Sequence, residues 1–202
     1  MMSTRIIEFS APEVSRREIL RYMGCKESSP DAEALIDRGL AECYDKLSYK
    51  VAYSFFPVRE VDDGIDLGFA RSGSRDLIKA LDGCDSIILF AATLGLEIDR
   101  AINKYGRISP SLAVCLQAIG AERIESLCDA FCEMMKAQHR GLSKVLMPRF
   151  SAGYGDIPLS LQKDIFRALC CEKNLGLTLN DSLLMSPTKS VTAMIGIKTN
   201  KD

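Results

Sequence analysis

The segment 148–158 concentrates the residues of this chain that are best suited to hold a ligand. Arg149 offers a planar guanidinium that can bind a carboxylate through two parallel hydrogen bonds. Gly153 and Gly155 permit positive φ or a close approach of the backbone to a ligand. Tyr154 adds an aromatic face and a hydroxyl group. The combination suits a zwitterionic amino acid that carries an attached base, and it is also compatible with a tight surface turn bearing a solvated arginine.

Arrangements typical of acid–base or nucleophilic catalysis are not evident in the sequence. The chain has a single histidine, His139, which disfavours Ser-His-Asp and Cys-His arrangements. The pair Asp62-Asp63 is predicted to be a solvated turn. Segment 93–97 has one glycine after an apolar run, whereas phosphate loops and Rossmann-type methyltransferases place several glycines there. Strand exit and helix capping explain this segment more simply, and we predict no catalytic residue.

Composition indicates a chain that works without nucleic acid or a membrane. The 202 residues fit one domain and carry 26 basic and 27 acidic side chains, with no basic block that could neutralise a row of phosphates. The longest apolar run, 86–96, is too short to span a bilayer, and no signal peptide is evident. Eight cysteines without a targeting signal favour a cytoplasmic location and free thiols. Their spacing lacks paired CxxC clusters, so we expect buried cysteines and no metal site.

Hydrophobic periodicity predicts one α+β domain with a mixed or antiparallel sheet. Helical spacing covers six segments, at about 11–24, 30–47, 74–83, 96–105, 110–138 and 159–170. Strand patterns cover 48–56, 65–69, 85–93, 182–185 and 190–197. The near-continuous apolar run 85–93 favours a central strand buried on both faces. We expect the first two strands to pair as one hairpin and the last two as another.

The ligand-loop candidate belongs to an ordered series of motifs that resembles a known family. Segment 149–154, Arg-Phe-Ser-Ala-Gly-Tyr, with Pro158, resembles the Arg-x-x-x-Gly-Tyr…Pro signature of the activation domain of cobalamin-dependent methionine synthase. Further segments resemble that domain in the same order: 56–66, 90–99, 121–125 and 177–191. Each motif is weak alone, but the order and spacing hold from about residue 45 to 197.

The resemblance implies a C-shaped α+β fold with long flanking helices that holds S-adenosylmethionine in a shallow groove. Arg149 would bind the methionyl carboxylate, Ser151 and Gly153 would contact the ligand through backbone groups, and Tyr154 would line the groove. The chain 1–202 would be a single activation domain, with a helical N-terminal part at about 1–47 and the family core at about 48–202. The fused enzyme's domain continues further and supplies a tyrosine pair, so we expect that part of the site to be missing or replaced. Its N-terminal aspartate contact has no clear match either.

The same resemblance implies partner proteins, because the sequence lacks groups that the family's chemistry needs. No Asp-x-His-x-x-Gly cobalamin motif surrounds His139, so cobalamin would come from a methionine synthase lacking its own activation domain. The chain would then be an S-adenosylmethionine-binding reactivation subunit that acts in trans in the reductive methylation of cob(II)alamin. The electron that reduces cobalt(II) to cobalt(I) would come from a flavodoxin- or ferredoxin-like donor. Methyl transfer from a sulfonium requires alignment rather than a general base. One alternative is an activator or assembly factor for another corrinoid methyltransferase protein, with a vestigial S-adenosylmethionine site. Another is an independent small-molecule methyltransferase.

Overall fold

A computed structural model describes residues 3–140 and 142–199, so the predicted domain limits at 1 and 202 lie outside the described residues. The α-helices are α1 (Arg16–Tyr22), α2 (Pro30–Cys43), α3 (Arg75–Ala80), α4 (Glu97–Ile108), α5 (Pro110–His139), α6 (Leu161–Leu169) and α7 (Cys171–Leu175). The strands are β1 (Arg5–Glu8), β2 (Lys50–Pro57), β3 (Arg59–Val61), β4 (Gly64–Asp66), β5 (Arg71–Ser72), β6 (Ser86–Thr93), β7 (Lys144–Leu146), β8 (Thr178–Leu179), β9 (Met185–Ser186) and β10 (Ser190–Thr199). None of these helices is long and apolar enough to cross a membrane.

The main sheet is antiparallel and has the strand order β1-β2-β6-β10-β7. β6 lies in the middle, with Phe90 opposite Tyr53 of β2 on one side and Ala193 of β10 on the other. From Ile87 to Thr93 every residue of β6 is buried. This burial confirms the prediction of a central strand covered on both faces. An unbroken apolar run is typical of such strands, because neither of their faces is in contact with water.

Helices cover both faces of this sheet and form two cores. On β6, Phe90 faces the core built with α1, α2, α4 and α5, whereas Leu89 faces the core built with α3, α6 and α7. Phe131 of α5 packs its ring 4.7 Å from that of Phe90 and 5.3 Å from that of Tyr53. The α+β class with an antiparallel sheet and a long flanking helix is confirmed, while the C shape stays a prediction.

Serine, proline and glycine set several helix boundaries and close contacts. Ser29 accepts a hydrogen bond from the Ala32 amide and Pro30 occupies the first turn of α2, while Ser74 caps α3 in the same way. A Cβ atom at Gly120 of α5 would lie 2.9–3.0 Å from side-chain atoms of Lys189 and Ile98. Gly120 therefore allows α5 to pack closely against these two side chains.

Both predicted hairpins are wrong in their strand partners. β2 pairs with β1 and β6, while β4 pairs with β3 and β5 in a separate small sheet. Likewise, β9 pairs with β8, while β10 pairs with β6 and β7. Period-2 alternation identifies a strand and its buried face, but it does not specify the neighbour, which depends on long-range packing.

The N-terminal part contributes a strand as well as helices, and a buried ion pair holds it in place. β1 was missed in the sequence because it is short and forms one edge of the sheet. Arg123 of α5 is 0 % exposed, and its Nη1 and Nη2 atoms donate to the carbonyl oxygens of Pro12 and Glu13, each at 2.6 Å. Its Nε atom donates to Glu122 Oε2 at 2.5 Å, while Glu122 Oε1 accepts the Ser15 amide hydrogen at 3.0 Å.

Candidate functional site

The segment after β7 follows the free edge of β10 before it turns away. Phe150 forms an isolated bridge with Met194, with N–H···O distances of 3.0 and 2.8 Å. The side chain of Phe150 packs into the core shared with α6. Because neighbouring side chains alternate along an extended segment, Arg149 lies on the other side and contacts α5. The edge of β10 therefore positions the predicted ligand loop.

Two glycines shape the turn, as their positions in the sequence suggested. Gly153 has φ +89° and Gly155 has φ +57°, conformations that other residues adopt with strain. The Gly153 amide donates to the Ile157 carbonyl at 3.0 Å, and the Ile157 amide donates to the Tyr154 carbonyl at 3.0 Å. A Cβ atom at Gly155 would clash with Asp76 Oδ2, so this position admits no side chain without rearrangement.

Asp156 anchors the turn to the start of α3. Its carboxylate accepts hydrogen bonds from the Ser74 hydroxyl, from the Arg75 amide at 2.9 Å and from the Asp76 amide at 3.2 Å. In return, the Asp156 amide donates to Asp76 Oδ2 at 3.1 Å. The hydrogen bond from Ser74, followed by that from the Arg75 amide, lowers the pKa of Asp156 below its ordinary value. The turn is therefore held at both ends, by the sheet edge and by a helix N-terminus.

A cavity of about 440 Å³ opens beside this turn, within the size range of small-molecule sites. Arg149, Ser151 and Tyr154 line it, whereas Gly153 is not among the lining residues. Tyr154 is 72 % exposed and lies at the mouth. The remaining lining residues are Glu125, Phe150, Ala152, Gln162, Met185, Ser190, Val191 and Thr192.

Arg149 carries the main electrostatic feature of the cavity. Its Nη2 atom lies 2.7 Å from Glu125 Oε2 and 3.0 Å from Asp129 Oδ1, both on α5. Its Nη1 atom is enclosed and has no hydrogen-bond partner within residues 3–140 and 142–199. Because a buried N–H group of a charged side chain is costly to leave unpaired, the guanidinium has donor capacity that its acidic neighbours do not use.

A neutral polar pair lies in another part of the cavity wall. Gln162 of α6 is 5 % exposed and Thr192 of β10 is 2 % exposed, and the Thr192 hydroxyl donates to Gln162 Oε1 at 3.0 Å. Both residues were missed in the sequence, as was Glu125. A polar residue among the buried positions Leu161, Ile165 and Leu169 of α6 was the available signal for Gln162.

The cysteines lie outside this cavity, and four of them are buried. All eight thiols are free. Burial raises the pKa of Cys43 and Cys115 to about 11 and that of Cys171 to about 12, so these thiols stay neutral at physiological pH. Across the described part of the chain, no group of three or more His, Cys, Asp or Glu side chains is arranged to hold a metal ion.

Larger cavities of about 830 and 780 Å³ lie around α6 and α7. They share Arg167, Cys170 and Lys173. Cys170 is exposed, and neither cavity is lined by a polar side chain that is buried in the fold. The smaller cavity beside Arg149 is the better candidate, because it combines a donor without a partner among the described residues, an adjacent carboxylate and a buried amide.

Comparison with known proteins gives a match in fold and none in sequence. No protein-family model and no curated protein matches the chain. A solved structure, the crystal structure of the MetH reactivation domain bound to AdoHcy, matches with a TM-score of 0.72 and 16 % sequence identity. The alignment covers 100 % of this chain and 80 % of that one. The chain therefore has the fold of the MetH reactivation domain, which confirms the fold that the ordered motifs predicted.

Proposed function

From this fold, we propose that the chain is an S-adenosylmethionine-binding reactivation subunit. It would act in trans, in the reductive methylation of cob(II)alamin, on a methionine synthase that lacks its own activation domain. The observation that carries the proposal is the enclosed Nη1 of Arg149, which no described residue pairs with, beside Glu125 in the 440 Å³ cavity. The matching MetH structure was solved with AdoHcy, which is S-adenosylmethionine without its transferable methyl group.

The charges at Arg149 suit the amino-acid end of this ligand. The guanidinium is a bidentate partner for the ligand carboxylate. Glu125 offers the opposite charge beside it, for the ligand's ammonium or sulfonium group. Ser151 would contact the ligand through its backbone and Tyr154 would cover it at the mouth. Because the Gly153 amide donates to Ile157, a backbone contact from Gly153 would come from its carbonyl oxygen.

The residues of the cavity bind and orient and do not exchange protons with the reacting atoms. S-adenosylmethionine supplies a methyl group that its own sulfonium charge already activates. No proton is removed in such a transfer, so no general base is needed beside the ligand. The rigid turn, held by Asp156 and by the edge of β10, fixes Arg149 and thereby the position of the ligand. Cobalamin and the electron would come from the partners named above, in the cytoplasm.

Titration calorimetry with S-adenosylmethionine and S-adenosylhomocysteine tests the site. Arg149→Ala is expected to weaken binding by roughly 1.5–3 kcal/mol, the scale of hydrogen bonds to a charged group. Arg167→Ala is the matched control, because Arg167 is also paired with an aspartate but lies outside this cavity. A wild-type chain that binds neither ligand, alone or with a cobalamin-carrying partner, would contradict the proposal.

A reconstituted assay tests the role itself. We expect the chain to restore methionine synthesis by an inactive cob(II)alamin enzyme when a reductant and S-adenosylmethionine are present. Arg149→Ala should raise the S-adenosylmethionine concentration needed. Capture of a different corrinoid protein in a pull-down, or turnover with a soluble methyl acceptor in the absence of cobalamin, would instead support one of the two alternatives.

A further inference from the structure

We propose that Gln162, positioned by Thr192, recognises the adenine ring of the ligand in the 440 Å³ cavity. The inference rests on the proposed function, because that function supplies the class of ligand. It adds the group that recognises the base.

The first step is the division of the cavity into two chemically different ends. Arg149 and Glu125 form a charged end next to α5. Gln162 and Thr192 form a neutral end that belongs to α6 and β10. A charged carboxylate is best placed at the first end, because burial beside a neutral amide would leave its charge uncompensated. The uncharged heterocycle therefore belongs at the second end.

The second step is the hydrogen-bonding capacity of the Gln162 carboxamide. Its oxygen has two acceptor sites and its nitrogen has two donor hydrogens. Thr192 occupies one acceptor site. Within the described part of the chain, Gln162 Nε2 makes no hydrogen bond. The fully enclosed side-chain atoms without a partner there are Tyr49 Oη, Ser54 Oγ and Arg149 Nη1, so Nε2 is not fully enclosed. The carboxamide thus retains both an acceptor and a donor for a ligand.

The third step is the match to adenine. An adenine edge presents an amino donor next to a ring-nitrogen acceptor, and a glutamine carboxamide pairs with such an edge through two hydrogen bonds. Oε1 would accept from the 6-amino group while Nε2 donates to the ring nitrogen. Met185, Val191 and Phe150 line the same cavity and offer apolar surface for the ring. The hydroxyl of Thr192, itself nearly inaccessible, keeps the carboxamide in position.

A cycle that combines a protein change with a ligand change tests this pairing. The wild type and Gln162→Met are titrated with S-adenosylhomocysteine and with its purine analogue, which lacks the 6-amino group. In the wild type, loss of the amino group is expected to weaken binding by on the order of fivefold, the scale of one neutral hydrogen bond. In Gln162→Met, which keeps the side-chain volume, both compounds should bind equally, each about tenfold more weakly than S-adenosylhomocysteine binds the wild type.

Because the readout is a ratio of two ligands on one protein, general loss of stability does not imitate the result. Gln162→Leu provides the same readout if Gln162→Met does not fold. Lys163→Met is the matched control on the same helix, since Lys163 lines a different cavity, and it should keep the wild-type ratio. A ratio in Gln162→Met equal to that of the wild type, or a wild type indifferent to the 6-amino group, overturns the assignment and leaves the proposed function standing. A wild type that binds neither compound overturns both.

Thr192 is a positioning residue, and its variants separate this role from simple packing. Thr192→Val keeps the shape and removes the hydroxyl, so the preference for the 6-amino group should fall to about twofold. Thr192→Ser keeps the hydroxyl and should restore the wild-type ratio. If Thr192→Val and Thr192→Ser have the same ratio as each other, Thr192 does not act through its hydroxyl.

Discussion

Two arginines that contact glutamates of the same helix differ in how far the chain itself pairs their guanidinium groups. Arg123 is fully buried, and Pro12, Glu13 and Glu122 accept hydrogen bonds from its guanidinium. Arg149 keeps 25 % of its side chain exposed and has an enclosed Nη1 that no described residue pairs with. Both are arginines next to carboxylates. Every guanidinium nitrogen of Arg123 donates to the chain itself, whereas Nη1 of Arg149 has no partner among the described residues and retains capacity for a ligand.

The largest expected effect on stability comes from replacing Arg123, whose guanidinium is paired within the chain. Arg123→Met would leave Glu122 buried without its partner and free the segment around Pro12, at a cost of about 3–5 kcal/mol in the free energy of unfolding. Arg149→Met removes partly exposed ion pairs and should cost less than about 1 kcal/mol. Urea unfolding of both variants measures the difference. Equal losses of stability would contradict this difference between the two arginines. In titration calorimetry with S-adenosylmethionine the order should be reversed, with Arg149→Met losing more affinity than Arg123→Met.

A smaller effect is expected when the turn that carries Arg149 is strained. Gly155→Ala places a Cβ atom against Asp76 at positive φ, which should cost about 1–3 kcal/mol in the free energy of unfolding. Gly106→Ala in α4 is the control, because a Cβ atom there meets no other atom within 4 Å. That change should stabilise the protein by about 0.5–1 kcal/mol. An unfolding midpoint in Gly155→Ala no lower than in the wild type would show that the turn adapts freely.

The smallest effect concerns pH and the anchor of the same turn. Because the pKa of Asp156 is lowered in the folded state, its contribution to stability is complete above the ordinary aspartate value of 3.8 and is lost as the pH falls through the folded value. Asp156→Asn removes this titration, so its urea midpoint should change less than that of the wild type between neutral pH and the acid range. Asp62→Asn, in the β3–β4 turn, makes the same chemical change away from this anchor and is the matched control. Parallel profiles for wild type and Asp156→Asn would show that the carboxylate is not the anchor.

The local elements of the fold were predictable because their signals are local. The apolar run of β6 specified a strand with two buried faces, and the repeat along α5 specified a long helix, since burial imposes these periods on any chain. Gly153 and Gly155 indicated a turn with positive φ for the same reason, because few other residues adopt it cheaply. The ordered motifs added the overall fold and directed attention to Arg149.

The neighbours of these elements were not predictable. The alternating residues of β2 and β10 identified both as strands. Their neighbours, β1 and β6 for β2 and β6 and β7 for β10, were decided by packing between distant segments. Gln162 pairs with Thr192 across 30 positions, and Asp156 reaches Ser74 across 82. No local periodicity encodes such contacts.

The sequence by itself therefore determined the longer helices and strands, where the turn with its two glycines lies, and that Arg149 is suited to a carboxylate. Only the tertiary structure decided that Arg149 faces Glu125, that Arg123 faces the N-terminal segment instead, and that a buried amide lies in the same cavity. The physical reason is that residue type and spacing set what a side chain can do, whereas its partners depend on how the whole sheet and its helices pack.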